Sequence, residues 1–392
     1  MNELRILADA NIPRVTAAFK RFGSVRTMPG RAMGPSDVAA ADVLLVRSVT
    51  PVGPDLLHDA TLRFVGSATI GTDHVDRDYL RARDIPFAHA PGSNADSVAD
   101  YVVVALLTLA RRRGTSLRGR TAGIVGCGNI GGRLASRLQS LGMTVLQNDP
   151  PRARAEEEMG RSHNFLPLDT VLRKADVVTL HVPLTTEGPN PTHRLADARF
   201  FEQLNEGAWF LNTSRGAVVD GEALRRAHER GSVGAAVLDV WEHEPTPDPA
   251  LVETVDVATP HIAGYAYDGK VRGTKMLYDA LCEQLGVEPT WAGPSAIASR
   301  SKDELNCSPP DPRLQEGDWL CHLAQQGYDL QADDAALRAV MQEDAEGRAD
   351  AFARLRGSYR RRRELQQHRV SKSAVPAGIR QAVDTGLTMQ LR

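Results

Sequence analysis

The sequence predicts an α/β protein built on parallel sheets, with a smaller region of different character at its carboxyl end. Short apolar runs alternate with helical stretches through most of the chain. A glycine-rich turn joins one of these runs to a helix, and the composition changes over the last part of the chain. With 392 residues, of which 42% are hydrophobic and 24% charged, the chain has room for about two or three globular domains.

The amino-terminal part predicts a small parallel sheet followed by a long helix. Asn94–Arg112 is apolar on most faces, so this helix should be buried and could serve as a hinge between domains. Asn94 or Asp96 could cap it. Short apolar runs typical of strands precede it at Leu4–Leu7, Val43–Val46, Leu62–Val65 and Ile85–Ala88.

A glycine motif follows the next predicted strand, Thr121–Val125. Gly126, Gly128 and Gly131 form a G-x-G-x-x-G sequence, and apolar residues at helical spacing come directly after it. In a strand–turn–helix context, the first glycine permits a tight turn and the second lets the backbone approach a pyrophosphate. The third allows close packing of helix on strand. The helix amino terminus then offers unpaired N–H groups to the phosphates.

An acidic residue completes this pattern. Thr144–Gln147 reads as the second strand, and Asp149 stands at its end, 18 residues after Gly131. A carboxylate there can accept hydrogen bonds from an adenosine ribose, which favours NAD over NADP. The alternative is a glycine turn that binds no ligand, but a bare turn does not require the second strand and the acid.

The rest of the nucleotide-binding part predicts a doubly wound sheet of at least six strands. A helix is expected at Gly221–Arg230 and another at Lys275–Leu285, and Pro289–Pro312 reads as a linker because it is rich in Pro, Ser and Asn. Further strands are expected at Val177–His181, Trp209–Thr213, Ala235–Val240 and Val257–Thr259.

The last 80 or so residues predict a mixed region. A strand is expected within Leu320–Asp329, helices at Asp334–Met341 and Asp350–Leu365, and weak strands in the tail. Arg360–Arg363 is a run of four arginines. It is interpreted as a solvated helix face, with contact to a phosphate or an acidic partner as the alternative.

Composition excludes several classes of function. The net charge of −2 gives no global basic field to gather nucleic acid. No segment has the length of a membrane span or the pattern of a signal peptide, so a cytoplasmic location without membrane contact is expected. No metal site is predicted, because the cysteines show neither C-x-x-C nor zinc spacing; they read as reduced thiols at Cys127, Cys282, Cys307 and Cys321.

Three polar residues follow consecutive predicted strands: Arg215, Glu244 and His261. Ligands of open α/β sheets bind beyond the carboxyl ends of the strands, so all three could meet at a nicotinamide. Arg215 could bind a substrate carboxylate with its planar guanidinium. His261 could take a hydroxyl proton, because imidazole titrates near neutral pH, and Glu244 could orient its ring.

Alternatives to these roles exist. Arg215 could anchor a turn next to Gly216, and Glu244 and His261 could be ordinary loop residues. Glu242 and His243 are rivals for the acid and the imidazole. The placement of Arg215, Glu244 and His261 after consecutive strands argues against all three being idle.

The chain resembles the D-isomer-specific 2-hydroxy acid dehydrogenase family. The matching segments are GIVGCGNIGGRLA, LHVPLT, LNTSRGAVVDGEAL, LDVWEHEP and TPHIAGY. The resemblance implies NAD as cofactor, Arg215 as substrate binder, Glu244 as orienting acid and His261 as proton donor or acceptor. It also implies a Rossmann domain, residues 99–261, inserted into a flavodoxin-like substrate domain made of residues 1–98 and 262–288.

The same resemblance implies a set of residues around the dinucleotide. Asp149 should contact the ribose, and Asp239 should lie near the nicotinamide carboxamide. Val182 stands where one subgroup of the family, described in the next paragraph, often has a threonine that faces the cofactor, so one hydrogen bond to the cofactor would be missing. The full set is Gly126, Gly128, Asn129, Ile130, Gly131, Asp149, His181, Val182, Pro183, Thr213, Ser214, Asp239 and Gly264.

A narrower resemblance, to the members that oxidise 4-phospho-D-erythronate in vitamin B6 biosynthesis, covers almost the whole chain. It rests on ILADANIP, LLVRSVTPV, FVGSATIGTDHVD, HIAGYAYDGKVRGT and the distal FARLRGSYRRRREL. It implies that Ser48, Thr69 and Tyr265 contact the substrate. Arg47, Lys270 and Arg272 are candidates for binding its phosphate, with an ordinary surface charge as the alternative for each. Arg47 is preferred because it stands beside Ser48. The resemblance also implies homodimerisation through a small α+β domain, residues 289–392.

Two other functions stay open at this point. The chain could be a dehydrogenase for another D-2-hydroxy acid, such as 3-phosphoglycerate or a hydroxypyruvate-like acid. It could also be an NAD-sensing protein of the corepressor type, since such proteins can retain the three polar residues.

Overall fold

The structure is a computed structural model that describes residues 3–293, 311 and 313–392. The described residues form two compact units. The first contains residues up to 94 and those from 266 to 293, and the second contains residues 95–265 together with those from 311 onward. Most of the predicted linker, and Cys307, lie outside the described residues. The three-domain division given above stays a prediction.

The first unit is built on a five-stranded parallel sheet of order β2-β1-β3-β4-β5. This is the flavodoxin-like order, in agreement with the expected fold. The edge strand β2 was missed because its residues are only partly buried and its apolar pattern is weak. The strands are β1 (Leu4–Asp9), β2 (Gly23–Met28), β3 (Val43–Val46), β4 (Phe64–Ser67) and β5 (Phe87–His89).

Helices cover both faces of this sheet. Phe19, Leu277 and Tyr278 belong to the apolar cluster on one face, and Leu44 and Leu57 belong to the cluster on the other. The helices are α1 (Val15–Phe19), α2 (Pro35–Ala39), α3 (Pro54–Leu57), α4 (Arg77–Ala82) and, from the later part of the chain, α12 (Tyr267–Leu285).

The second unit contains a six-stranded parallel sheet of order β11-β10-β9-β8-β6-β7. Phe165 forms an isolated parallel bridge with Gln147 of β7, so it stands where a further strand would extend the sheet. Counting that bridge, the order is that of a Rossmann domain with one added strand. The strands are β6 (Thr121–Val125), β7 (Thr144–Asn148), β8 (Val177–Leu180), β9 (Ala208–Asn212), β10 (Val233–Leu238) and β11 (Val257–Ala258).

The helices of this unit include the long apolar one that the sequence predicts. In α5 (Ala95–Arg112), all residues up to Ala110 are buried except Asp96. Within the described residues, none of the helices combines the length and the hydropathy needed to span a bilayer. The others are α6 (Asn129–Ser140), α7 (Pro150–Glu158), α8 (Leu168–Lys174), α9 (Ala198–Glu202), α10 (Gly221–Glu229) and α11 (Pro249–Thr254).

The carboxyl-terminal residues belong to the same unit and differ from the prediction. The strand expected within Leu320–Asp329 is wrong, because Trp319, Leu320 and Leu323 are buried on one face of a helix that packs on α5. The tail pairs two short parallel strands. The elements are α13 (Glu316–Gly327), α14 (Leu330–Met341), α15 (Ala345–Gly357), β12 (Arg369–Val370) and β13 (Gln390–Leu391).

The arginine run is not the solvated helix face that the sequence suggested. α15 ends at Gly357, so Arg360–Arg363 lies beyond it in a segment without regular structure. Arg362 and Arg363 are buried. Arg360 pairs with Asp333 of α14 and donates to the carbonyl of Asp329 at 2.6 Å. The run is therefore a structural anchor of the carboxyl-terminal region.

A buried ionic cluster fastens this region to α5 and α6. Arg137 of α6 pairs with Asp100 of α5, and both side chains are only 4% exposed. The second Asp100 oxygen accepts the Leu365 N–H at 2.9 Å, while Ser97 donates to Glu364 at 2.6 Å. Burial raises the pKa of Asp100 to about 6, although the charge of Arg137 opposes this rise.

The raised pKa of Asp100 predicts a specific pH dependence of stability. Because burial favours the protonated carboxyl, protonated Asp100 contributes stability that is fully present below about pH 4, the ordinary pKa of an aspartate. This part of the free energy of unfolding is lost as pH rises through about 6. We expect Asp100→Asn to remove this component, so that the free energy of unfolding falls less between pH 4.5 and pH 7.5 than in the wild type. Urea unfolding at both pH values measures it.

The matched control is Asp78→Asn, because the side chain of Asp78 is 88% exposed. It should leave the difference between the two pH values as in the wild type. An identical pH difference in Asp100→Asn and the wild type would contradict the assignment.

Candidate active site

The three glycines of the turn have three different surroundings. Gly126 has φ +89°, and a Cβ there would lie 2.6 Å from the His181 carbonyl oxygen. A Cβ on Gly131 would lie 2.2 Å from the Gly126 carbonyl oxygen, so helix α6 sits close against the turn. A Cβ on Gly128 would meet nothing within 4 Å. Only the middle glycine therefore faces open space, as a backbone that receives a pyrophosphate must.

The groove at this turn has the chemistry of a dinucleotide site. Asn129 and Ile130 are the first residues of α6, whose amino-terminal N–H groups suit phosphate oxygens. Asp149 accepts the Cys127 N–H at 2.8 Å and caps α7 by accepting the Arg152 N–H at 3.1 Å. Its carboxylate keeps lone pairs for ribose hydroxyls. The groove is lined by Gly128, Asn129, Gly132, Arg133, Ser136 and Arg152.

His181 follows β8 and is held between two hydroxyls. Its Nε2 lies 3.0 Å from Thr179 Oγ1 and its Nδ1 lies 3.2 Å from Thr213 Oγ1. Desolvation lowers the pKa of His181 to about 3, so the ring is neutral. Val182 packs beside the glycine turn, 2.9 Å from where a Gly126 Cβ would stand, and Pro183 accepts a bond from Thr192 at 2.5 Å.

Arg215 stands in a loop that Asn212 shapes. Asn212 is fully buried at the end of β9; its oxygen accepts both the N–H and the hydroxyl of Ser214, at 3.0 and 2.7 Å. Its amide nitrogen donates to the Arg215 carbonyl at 2.9 Å. Gly216 then packs against the next loop, where a Cβ would lie 1.9 Å from Trp241 backbone atoms. The Arg215 loop is thus pressed against the segment that leads to Glu244.

His261 and Glu244 form a hydrogen-bonded pair. His261 Nδ1 lies 2.7 Å from Glu244 Oε2, and both side chains are partly buried, at 31% and 21% exposure. The other Glu244 oxygen accepts the Trp241 N–H at 3.0 Å. Burial by itself would raise the pKa of Glu244, but the charge and hydrogen bond of His261 hold that pKa below its usual range. An ionised Glu244 accepts from Nδ1–H, which leaves Nε2 for a substrate proton.

The backbone of His261 is strained. Its φ of +56° is left-handed, a conformation that a histidine rarely adopts and that surrounding contacts must enforce. The His261 N–H donates to the Asp239 carbonyl at 2.7 Å. The Asp239 carboxylate accepts the N–H groups of Ile262 and Ala263 at 2.8 and 2.9 Å, and the Thr259 hydroxyl at 2.6 Å.

Asp239 was expected near the nicotinamide carboxamide; the contacts seen in the structure are with the His261 loop. Asp239 is 1% exposed, and burial raises its pKa to about 6 against the opposing effects of His261 and the three hydrogen bonds. Thr259, which donates to it, lies 2.7 Å from the Tyr101 hydroxyl of α5. Sequence patterns gave no sign of this support for the His261 loop, because burial and bonding partners are not visible in them.

The rivals from the sequence lie elsewhere. Glu242 pairs with Arg194 at 3.0 Å, and His243 is exposed. The structure therefore brings together His261 and Glu244, and places Arg215 on the loop next to them. These loops follow β9, β10 and β11, at the carboxyl edge of the sheet.

The expected substrate contacts divide between the units. Ser48 and Arg47 follow β3 of the first unit, and Thr69 follows β4. Thr69 Oγ1 lies 2.6 Å from Ser67 Oγ and donates to the Gly71 carbonyl at 3.0 Å.

Tyr265, the remaining expected substrate contact, and Gly264, which was expected at the dinucleotide, lie in the second unit. They directly follow the Ile262–Ala263 pair that Asp239 binds. The Tyr265 ring packs edge-on against Tyr359, with 5.9 Å between ring centroids.

Comparison with known proteins agrees with this geometry. The chain is 68% identical to the erythronate-4-phosphate dehydrogenase of Salinibacter ruber over 391 residues, which is 100% of each chain. It is 47% identical to that of Azotobacter vinelandii over 380 residues, 97% of this chain and 98% of the other. The chain belongs to the erythronate-4-phosphate dehydrogenase family.

Two family models match separate parts of the chain. Residues 100–263 match the NAD-binding domain of the D-isomer specific 2-hydroxyacid dehydrogenases, so NAD is the cofactor of this family member. Residues 312–382 match a domain of unknown function. The chain also matches the crystal structure of D-lactate dehydrogenase from Aquifex aeolicus with NAD and lactic acid, at 25% identity and a TM-score of 0.59. That match covers 73% of this chain and 100% of the other.

The surroundings of the glycines predict different effects of two small substitutions. Gly128→Ala places a methyl group in open space, so we expect a normally folded protein whose affinity for NADH falls about tenfold or more. Gly131→Ala forces a contact with the Gly126 carbonyl, so the melting temperature should fall as well. Thermal unfolding and NADH fluorescence titration measure both quantities.

Gly132→Ala is the control for stability, because its Cβ would meet only Cys127 O at 3.7 Å and alanine favours the helix. It should melt at or above the wild-type temperature. Equal NADH affinity in Gly128→Ala and the wild type would show that the pyrophosphate does not lie at this turn.

The contacts of Asn212 predict that it positions Arg215. Asn212→Ala removes three hydrogen bonds from the loop, so we expect kcat/KM to fall by about tenfold to a hundredfold through misplacement of the guanidinium. Asn205→Ala is the control, because Asn205 makes a single bond at 3.3 Å to the Ala175 carbonyl. Steady-state kinetics decide; wild-type kcat/KM in Asn212→Ala would refute the role.

Proposed function

We propose that this protein oxidises 4-phospho-D-erythronate to 2-oxo-3-hydroxy-4-phosphobutanoate with NAD, in pyridoxal 5′-phosphate biosynthesis. The observation that carries this is the His261–Glu244 pair, 2.7 Å apart, on loops next to that of Arg215. The relatives' names supply the substrate, since both are erythronate-4-phosphate dehydrogenases matched over nearly their full lengths.

The reaction removes a proton from the C2 hydroxyl and a hydride from C2. When bound, NAD accepts that hydride. Arg215 binds the substrate carboxylate and polarises the C2 oxygen, because a guanidinium forms paired hydrogen bonds to such groups. His261 Nε2 takes the hydroxyl proton, and the ionised Glu244 stabilises the resulting imidazolium through Nδ1. In the reverse direction His261 is the proton donor.

Substrate selection is assigned to hydroxyl and cationic groups. Ser48, Thr69 and Tyr265 form hydrogen bonds with the hydroxyls of the substrate. Such a site rejects acids that lack these hydroxyls, because its own polar groups would then be left unpaired. Arg47 contributes to the phosphate site. Lys270 and Arg272 are rivals, although Arg272 already donates to the Ser93 carbonyl at 2.8 Å.

We further infer that the protein is a cytoplasmic homodimer whose carboxyl-terminal region forms the dimer contact. The support is the resemblance of this region to a dimerisation domain of related dehydrogenases. Light scattering coupled to size exclusion tests the state; a monomer at micromolar concentration would refute it.

The proposed reaction predicts a clear order of substrates. We expect kcat/KM for 4-phospho-D-erythronate to exceed those for 3-phosphoglycerate and D-lactate by at least about a hundredfold, because the latter leave polar groups unpaired. His261→Asn should lower kcat by about 10²–10⁴, because asparagine cannot accept the proton, while NADH still binds. NADH formation is followed by absorbance and NADH binding by fluorescence.

The corepressor alternative predicts a different result. Wild type and His261→Asn would both bind NADH, and neither would oxidise any of the three acids. A wild type that prefers 3-phosphoglycerate would instead indicate another D-2-hydroxy acid dehydrogenase.

A further inference from the structure

The segment after α15 is bonded to the loop that carries His261. Arg362 donates through Nη2 to the carbonyls of Ile262 and Ala263. Its guanidinium also lies over the Tyr328 ring, 4.0 Å from the centroid. The domain of unknown function is therefore in direct contact with the catalytic loop inside one unit of the protein.

One cation of this region lies over the Tyr265 ring and has no hydrogen-bonding partner among the described residues. Arg356 lies in the last turn of α15, and its guanidinium is 5.5 Å from the centroid of the Tyr265 ring. Its Nε is buried and unbonded, and the structure gives Arg356 no hydrogen bond or ion pair among the described residues. The positive charge of Arg356 also contributes to lowering the pKa of the Glu244 carboxyl.

Several residues that follow Arg356 already have bonding partners. Arg360 is paired with Asp333, and Arg362 is bonded to the His261 loop. Tyr359, whose ring packs edge-on against Tyr265, donates its hydroxyl to Asp333 at 2.6 Å. An arginine that is partly desolvated and lacks an acceptor loses hydrogen bonds to water without replacement, unless a ligand supplies the acceptor.

We propose that Arg356 binds the phosphate of the substrate and that the carboxyl-terminal region thereby determines specificity for a phosphorylated acid. This inference rests on the proposed function. A phosphate monoester carries a charge of about −1.5 to −2 at pH 7, so it calls for more than one cation. A planar guanidinium is the group that bonds two of its oxygens at once. Arg356 supplies this group beside Tyr265.

Two simpler roles for Arg356 must be separated from this one. A cation in the last turn of a helix stabilises the helix dipole, and Arg354 shares that position but is 67% exposed. Arg356 could also act only by stabilising ionised Glu244, which would affect every substrate alike. The distinguishing measurement is therefore the preference for the phosphorylated acid over the same acid without phosphate.

The experiment compares 4-phospho-D-erythronate with D-erythronate as substrates of wild type, Arg356→Gln, Arg356→Lys and the control Arg354→Gln. We expect Arg356→Gln to lower the ratio of the two kcat/KM values by about thirtyfold, mainly through KM for the phosphorylated acid. Arg356→Lys should recover part of the ratio, because it keeps the charge but not the planar fork. Arg354→Gln should keep the wild-type ratio.

Several outcomes would overturn the inference. Equal losses on both substrates in Arg356→Gln would show that Arg356 acts through Glu244, and an unchanged ratio would show that it does not touch the phosphate. NADH titration and the melting temperature establish that each variant is folded. A wild type that does not turn over 4-phospho-D-erythronate would overturn the proposed function and this inference with it, whereas an active wild type with an unchanged ratio in Arg356→Gln overturns the inference alone.

Discussion

The candidate site depends on the hydrogen bonds between the buried Asp239 carboxylate and the loop that carries His261. Asp239 accepts a hydroxyl and two backbone N–H groups from residues 259–263, and its own carbonyl accepts the His261 N–H. These bonds hold His261 in a left-handed conformation that it would not adopt alone. Nδ1 of the ring then lies 2.7 Å from Glu244 Oε2. The strain at His261 is thus offset by hydrogen bonds that lie entirely inside the protein.

A similar device shapes the neighbouring loop. Asn212 ends one strand and folds the backbone of Ser214 and Arg215 around its amide, just as Asp239 follows the next strand and organises the His261 loop. Gly216 lets the two loops touch, because no side chain fits between it and the Trp241 backbone. Short polar residues at strand ends therefore place the loops of Arg215 and His261, so the sheet itself sets the spacing of these loops.

Local patterns were sufficient to predict much of this architecture and the position of three polar residues after its strands. The glycine motif, its strands and the Ala95–Arg112 helix follow from periodicity, and Arg215, Glu244 and His261 stand after strands that the sequence marks clearly. The edge strand β2 was missed because partial burial blurs its alternation. Leu320 and Leu323 were assigned to a strand region that is helical. The bonds by which Arg362 and Asp239 hold the His261 loop were not visible in the sequence, because they depend on partners far away in the chain.

The packing of α13 on α5 has a consequence for how this protein could be shortened. Trp319, Leu320 and Leu323 share one apolar cluster with Tyr101 and the rest of α5. A polypeptide stopped before α13 would uncover that helix along one flank and leave Asp100 without its Leu365 contact. Such a fragment would expose an apolar surface to water and would be prone to aggregate. The carboxyl-terminal region is therefore part of the folded core of this unit.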